Sequence, residues 1–224
     1  MAYIRMFITN LGKYNEGELV GKWVDLPCYD LEDQLLEIGV SDEPDEFGNM
    51  YEEWFVTDYE TDIPGLDLSS EYPNIDELNE LAETVQDWDE DDELLALGAY
   101  LDNGYDIDDA IRHVEDRDYI IYTDCYNMRD VAMAYVEMCG SVIDAAGKEA
   151  AENYIDWDQY AEDLWDNGGF DSKEDAQEYA DEVQFTGDYD DDFIESYFNY
   201  ESYGRDMGIN GTFVYMNNGV YVEL

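Results

Sequence analysis

The residues best suited to chemistry are one histidine and three cysteines, and their spacing argues against a metal centre. His113 is the only histidine in the sequence, so no site with two imidazole ligands can form. Cys28, Cys125 and Cys139 are widely spaced and odd in number, which favours reduced core thiols over a disulfide framework or a zinc site. We therefore predict no metal and no cofactor, and we interpret His113 as a surface or helix-packing residue.

Aspartates in alternate positions suggest calcium binding at two places, beginning at Asp87 and at Asp188. Both runs depart from the EF-hand loop, because its sixth position holds Asp92 or Phe193 instead of glycine. The sequence also contains no glycine-rich phosphate loop and no recognisable pair of nucleophile and base. Among 60 acidic residues no catalytic carboxylate pair can be singled out. The sequence therefore predicts a protein that is not an enzyme.

The charge of the chain restricts its partners. The sequence has 60 Asp and Glu against 9 Lys and Arg, a formal net charge of -51, yet 45% of its residues are hydrophobic. Such a hydrophobic fraction favours a folded chain over a disordered one. Direct binding to nucleic acid or to an anionic membrane needs clustered cations, so we expect a basic partner. With no predicted leader or membrane-spanning segment, we expect a cytoplasmic location.

Hydrophobic periodicity predicts a small ββαβ domain over residues 1–62. Tyr3–Thr9 and Leu19–Leu26 are predicted strands, joined by a loop rich in Asn and Gly. A short helix through Leu31–Ile38 follows, and Glu53–Thr57 is the third predicted strand.

The rest of the chain is predicted to form two further domains, giving an α+β fold with three small domains. A central helical domain, residues 63–117, has predicted helices that begin near Ile75, Asp91 and Ile107. The C-terminal domain, residues 118–224, is predicted to be mixed, with a terminal hairpin. Its predicted elements are a strand over Tyr119–Tyr122, a helix over Met128–Met138, and the strands Thr212–Met216 and Val220–Glu223 around Asn-Asn-Gly.

A weak repeat with an offset of 43 residues lies in the C-terminal domain. It matches Tyr160, Asp163, Asn167, Gly168 and Phe170 to Tyr203, Asp206, Asn210, Gly211 and Phe213. Either a segment has been duplicated, with residues of about 156–199 as an extra segment, or the match arises by chance in a chain rich in Asp and Tyr.

Like charges recur at helical spacing where they would repel each other. Asp76, Glu80, Glu83 and Asp87 are three or four residues apart, and each such pair destabilises a helix by about 0.2–0.5 kcal/mol. A folded chain whose surface charge is almost entirely negative suggests that this charge has a function. At the charge density of duplex DNA, -51 corresponds to about 87 Å, on the order of 25 base pairs. Halophilic adaptation and an acidic chaperone for basic proteins are the alternatives.

Several segments together resemble the ArdA family of antirestriction proteins. They are Asn10–Trp23, Asp58–Glu60, Ile75–Asn79, Tyr203–Asp206 and Gly211–Phe213. The resemblance implies an elongated homodimer with three small domains per subunit, whose carboxylates imitate bent B-DNA. It also implies that the partner is a type I restriction-modification enzyme, blocked by occupation of the DNA groove of its specificity and modification subunits.

We place the DNA-mimic surface on two acidic stretches of the chain. Its predicted members are Asp42, Glu43, Asp45, Glu46, Glu52, Asp58, Glu60, Asp76, Glu77, Glu80, Glu83, Asp87, Asp89, Glu90, Asp91, Asp92 and Glu93. Trp23, Trp54 and Phe55 are interpreted as core residues because of their strand settings.

Overall fold

The computed structural model describes residues 2–86, 88 and 91–224 and confirms a fold of mixed α and β structure. Within these residues there are twelve α-helices and two three-stranded sheets. The chain divides into two compact units, one up to Ile121 together with Leu224, and one from Tyr122 to Glu223. The predicted arrangement in three domains is not confirmed and stays a prediction. No helix in the described part of the chain is long and apolar enough to span a membrane.

The N-terminal unit begins with an antiparallel sheet. Its elements in chain order are β1 (Ile4–Asn10), α1 (Leu11–Asn15), β2 (Gly21–Leu26), α2 (Leu31–Glu37) and β3 (Trp54–Thr61). The strand order is β2-β1-β3, with β1 in the centre. The predicted ββαβ order is thus confirmed, with α1 as an addition.

Helix α1 occupies what was predicted to be a loop. The Asn10 side chain accepts a hydrogen bond from the Lys13 amide at 3.0 Å, as an N-cap does. Asn10 is itself fully buried and donates from its side chain to the Ile38 carbonyl at 3.1 Å. One polar side chain therefore both begins the helix and fastens it to the turn after α2.

The two faces of the N-terminal sheet differ. Ile4, Met6 and Ile8 of β1 are buried and face the core. On the opposite, outer face, Phe7 is in register with Trp23 of β2 and with Asp58 of β3. Residues that alternate along a strand point to opposite faces, so this register places an aromatic and acidic row away from the core.

Three helices complete the N-terminal unit: α3 (Ile75–Gln86), α4 (Asp91–Asp102) and α5 (Ile107–Glu115). Their buried side chains, among them Leu81 and Leu97, belong to the same hydrophobic cluster as the inner face of the sheet. One core thus joins the sheet to the helices and includes residues on both sides of residue 62, the predicted end of the first domain.

The C-terminal unit is mainly helical. Its elements in chain order are β4 (Ile120–Tyr122, at the junction), α6 (Met128–Cys139), α7 (Val142–Ala146), α8 (Lys148–Ala151), a 3-10 turn (Glu152–Tyr154), α9 (Trp157–Asp166), α10 (Lys173–Thr186), α11 (Asp191–Ser196), α12 (Tyr200–Asn210), β5 (Phe213–Tyr215) and β6 (Tyr221–Glu223). The predicted terminal hairpin is confirmed as β5 and β6. Asn217, Asn218 and Gly219 in its turn all have positive φ angles, of 83°, 50° and 77°, which Asn and Gly tolerate best.

Two copies of one local arrangement face each other in this unit. Ile155 and Phe198, which are separated by the repeat offset, form an isolated antiparallel bridge. The amide after each of them donates to the carbonyl before the other, at 2.7 Å in both directions. The bridge therefore relates the segments that precede α9 and α12 by an approximate two-fold axis.

The tyrosines of the repeat occupy equivalent places around this bridge. Tyr160 of α9 packs edge-on against Tyr197, with ring centroids 5.0 Å apart. Tyr203 of α12 packs against Tyr154 in the same way at 5.1 Å. The equivalence of Tyr160 and Tyr203 that the repeat predicted is confirmed, which supports duplication over chance.

Candidate acidic interaction surface

The loop of residues 42–52, here called the acidic loop, is held in shape by internal hydrogen bonds of its backbone and of the Asp45 side chain. The Ser41 amide donates to the Tyr51 carbonyl at 2.8 Å and closes it. The Asp45 carboxylate accepts from the amides of Phe47 and Asn49 at 2.9 and 2.8 Å. These bonds, above all the one from Asn49, hold the pKa of Asp45 below its usual range. Asp45 thus organises the loop.

The other predicted members in and after the acidic loop are accessible to solvent. The exposed ones are Asp42, Glu43, Glu46, Glu52, Asp58 and Glu60. A loop closed by internal hydrogen bonds presents its carboxylates with little further ordering when a partner binds, which lowers the entropic cost of association.

Helix α3 carries a row of exposed carboxylates opposite its buried face. Asp76, Glu80 and Glu83 are exposed, and Glu77 is half-buried. Residues four apart on a helix rise about 6 Å, so the exposed carboxylates follow the helix axis at intervals comparable to those between phosphates. The apolar side of α3 fixes their direction because it packs into the core.

The start of α4 adds further charge to this surface. Asp91 and Asp92 are exposed and Glu93 is half-buried, and all three lie in the first turn of the helix. Carboxylates are favourable there because the N-terminus of a helix carries a partial positive charge. Three predicted members lie outside the described residues: Asp87, Asp89 and Glu90.

Two predicted members already have partners within the chain. Glu60 forms an ion pair with Arg5, whose Nε donates to the carboxylate at 2.8 Å. Glu83 accepts a hydrogen bond from the hydroxyl of Tyr29, and this bond is the main cause of the raised pKa of Tyr29. These two carboxylates are therefore less available to a partner than their exposed neighbours on the same elements.

The sequence interpretation missed a similar acidic row on α10. Glu174, Glu178, Asp181 and Glu182 are exposed on this helix, opposite the buried Ala176 and Ala180. The signal was the same spacing of three or four residues between like charges that pointed to α3. It was overlooked because the segment was considered only as added material.

A groove on the outer face of the N-terminal sheet was also not predicted. It has a volume of about 1180 Å³, and Phe7, Trp23 and Phe55 are among its lining residues. Trp54 packs against the core as predicted, and Phe55 is buried, but Trp23 is half-buried and packs on Phe7 at 5.4 Å. The interpretation of Trp23 as a core residue was wrong because only strand pairing shows to which face it points.

His113 and two of the three cysteines occupy packing positions, and the third, Cys139, is half-buried. His113 stacks on Tyr100, with ring centroids 4.8 Å apart, and its Nδ1 is 3.2 Å from an Asp118 oxygen. Cys28 and Cys125 are buried, and burial is the main cause of their raised pKa values. Within the part of the chain that the structure describes, no three His, Cys, Asp or Glu side chains are arranged to hold a metal ion.

A model of the antirestriction protein (ArdA) family matches residues 6–176 of the chain. The chain belongs to the ArdA family. Membership implies an antirestriction function and therefore interaction with restriction enzymes, and ArdA proteins are not known as enzymes. The match includes the first copy of the repeat and ends within α10, so this ArdA member carries its second copy, with Tyr203–Asp206 and Gly211–Phe213, beyond the matched range. Comparison with curated proteins gives no match.

Proposed function

We propose that the protein is a DNA mimic that inhibits type I restriction-modification enzymes by occupying the DNA-binding groove of their specificity and modification subunits. The observation that supports this most is a one-sign surface on a folded chain. A net charge of -51 is carried on well-formed helices and sheets, with carboxylates exposed along the acidic loop, α3 and the start of α4.

The mechanism is competitive occlusion. Exposed carboxylates replace phosphates against the Lys and Arg side chains of the groove, and the counterions released from both surfaces supply much of the binding free energy. Because these contacts are screened by salt, affinity falls steeply as ionic strength rises. The contact surface comprises the exposed carboxylates of the acidic loop, α3 and the first turn of α4, with smaller contributions from Glu60 and Glu83.

The proposed assembly is a homodimer that acts in the cytoplasm, where restriction enzymes meet incoming DNA. A dimer would double the charge presented to the enzyme and lengthen the surface that imitates a duplex. Three domains per subunit, as the family resemblance implies, remain part of this proposal.

The test is a cleavage assay with a type I enzyme, circular DNA that carries its recognition sequence, and ATP. At low salt we expect loss of cleavage as the protein approaches the molar concentration of the enzyme. Cleavage that persists at a large molar excess would contradict the proposal. A chaperone for basic proteins would instead suppress aggregation of the enzyme without changing the cleavage rate.

A matched pair of variants locates the surface. The first removes four charges from it, with Asp42→Asn, Glu43→Gln, Asp76→Asn and Glu80→Gln. The second removes four exposed charges elsewhere, with Asp108→Asn, Glu115→Gln, Asp116→Asn and Glu149→Gln. We expect the first to raise the inhibitor concentration for half-inhibition at least about tenfold more than the second, because local charge pairs contribute more than total charge.

A further inference from the structure

We propose that the groove on the outer face of the N-terminal sheet seats arginine side chains of the basic partner. This deepens the proposed function, on which the identity of the partner rests, because it adds a guanidinium-selective site to a surface otherwise described by charge. The groove combines aromatic rings with carboxylates at its edge, which is the chemistry that recognises a planar cation.

Two aromatic pairs line the groove. Phe7 and Trp23 pack edge-to-face with centroids 5.4 Å apart, and Tyr14 and Phe55 do so at 5.2 Å. Tyr14 is 51% exposed and Leu19, on the groove lining beside it, is 69% exposed. An apolar surface of this kind on a chain so highly charged is a candidate anchor, since binding hot spots are enriched in aromatic residues inside a polar rim.

The charged groups that line the groove are carboxylates. Asp58 of β3 and Glu71 of the segment that follows it line the groove, as does Glu60, whose charge Arg5 already offsets, and the described lining residues include no Lys or Arg. The charge of the groove therefore complements a cation and opposes both a nucleic acid and a second copy of this acidic chain.

The chain itself shows how a guanidinium fits on this face. The Arg5 Cζ lies 4.6 Å from the centroid of the Trp23 ring, and its Nε donates to Glu60 at 2.8 Å. Two residues further along β1, Phe7 is in register with Asp58. The combination of ring and carboxylate that holds Arg5 thus recurs about 7 Å away along the strand, open to the groove.

A guanidinium fits this arrangement better than an ammonium ion. It is planar and weakly hydrated, so it can lie on a ring and still direct its N–H groups at a carboxylate in the same plane. Lysine would satisfy the carboxylate but retain its hydration shell over the ring. The groove is therefore expected to prefer arginine, whereas the exposed carboxylates of α3 should not distinguish the two.

The experiment titrates the full chain with a tetra-arginine peptide and with a tetra-lysine peptide, using isothermal calorimetry and amide NMR shifts. We expect saturable binding, tighter for arginine by about threefold or more, with the largest shifts at residues of β1, β2 and β3. Tyr14→Ala and Asp58→Asn should each weaken arginine binding about threefold. Phe185→Ala, at a side chain 91% exposed, and Glu115→Gln are the matched controls and should leave it unchanged.

Equal affinity for the two peptides, or equal effects of groove and control variants, would overturn the proposal. Circular dichroism checks folding, and if Tyr14→Ala is unfolded, Leu19→Ala and Asp58→Asn carry the test at exposed positions. The peptide titration contains no restriction enzyme, so its result does not depend on whether the protein inhibits such an enzyme. Conversely, if the protein does not prefer the arginine peptide but still inhibits cleavage, the groove proposal is wrong and the DNA-mimic proposal stands.

Discussion

The two units carry their negative charge in different ways. The N-terminal unit has a mainly aliphatic core, with Ile4, Met6 and Leu81 fully buried, and its acidic side chains lie outside this core. The C-terminal unit has an aromatic cluster in which tyrosine hydroxyls reach carboxylates. In the N-terminal unit most of the predicted surface carboxylates are exposed, apart from Asp45, Glu60 and Glu83, which have partners within the chain. In the C-terminal unit some carboxylates take part in the hydrogen bonds that hold the core together.

The tyrosine contacts of the C-terminal unit follow its internal symmetry. The Tyr154 hydroxyl donates to Asp206 at 3.0 Å, and the Tyr197 hydroxyl donates to Asp163 at 3.3 Å. Each hydroxyl thus joins one copy of the repeat to a carboxylate of the other. Carboxylates therefore contribute to the stability of the C-terminal unit. Substitutions or pH changes that disturb its tyrosine contacts should destabilise this unit more than the N-terminal unit.

The largest effect is expected from Gly204→Val, which should unfold the C-terminal unit selectively. Gly204 lies on α12, and a Cβ atom there would overlap the carbonyl of Met128 at the start of α6. Overpacking against backbone costs about 3 kcal/mol or more. Backbone amide NMR should show loss of native shifts from α6 to α12 with α3 to α5 retained. Ala161, the equivalent of Gly204 in the first copy, is buried and supplies the control Ala161→Gly, with a smaller loss of about 1 kcal/mol.

Alkaline pH should separate the units next. Burial raises the pKa of Tyr203 to about 12, and burial is also the main cause of the raised pKa values of Tyr154, Tyr160 and Tyr197. A folded pKa above the ordinary value of 10.0 means that stability is fully present below pH 10 and is lost between about pH 10 and 12. We expect C-terminal signals to disappear first in this window.

The N-terminal unit provides the comparison for this titration. Burial raises the pKa of Tyr59 and that of Tyr100 to about 12, but the unit holds fewer such groups in its core. Tyrosinate absorbance recorded with circular dichroism measures both events. Simultaneous loss of the two units, or loss of the N-terminal unit first, would contradict the contrast drawn between their cores.

Removing one hydroxyl from each copy tests the symmetry itself. Tyr154→Phe and Tyr197→Phe should each destabilise the C-terminal unit by about 1 kcal/mol, because each removes the hydrogen bond that joins one copy to a carboxylate of the other. Urea unfolding followed by aromatic fluorescence gives the two values. Their agreement within about 0.5 kcal/mol is expected, and additive losses in the double variant would show that the contacts act independently. A loss confined to one variant would mean that the copies are not energetically equivalent.

The smallest effect is expected from salt on stability, and its sign is informative. Screening reduces repulsion among exposed carboxylates, so the unfolding temperature should rise with sodium chloride. Affinity for a basic partner should fall over the same range. Differential scanning calorimetry measures the unfolding temperature. If the unfolding temperature and the affinity both fall with salt, repulsion among the carboxylates does not limit the stability of the fold.

Local signals predicted much of the fold. The Asn-Asn-Gly turn specifies the terminal hairpin, and α5 and α6 begin at Ile107 and Met128 as predicted. The side chains of Asp106 and Asn127 cap these two helices. These features depend on residues a few positions apart, which a sequence displays directly. Helix α1 was missed because its cap, Asn10, was assigned to a loop, and the buried contact of Asn10 with Ile38 is not local.

The candidate site was less predictable than the fold. Spacing identified the exposed row on α3, since helical periodicity gives both its buried and its charged face. It did not show that Arg5 would neutralise Glu60, because that ion pair depends on the pairing of β1 with β3. The groove was not predicted for the same reason. The strand register and the face to which Trp23 points depend on the pairing of β1 with β2, which composition does not show.

Competition for DNA tests the mimicry directly, with a labelled duplex that carries the recognition sequence bound to the type I enzyme in the absence of ATP. If the acidic surface occupies the DNA groove, the apparent Kd of the duplex should rise in proportion to the concentration of the protein, and excess duplex should restore full binding. A ternary complex that retains the duplex, or a loss of binding that no excess of duplex reverses, would contradict competitive mimicry.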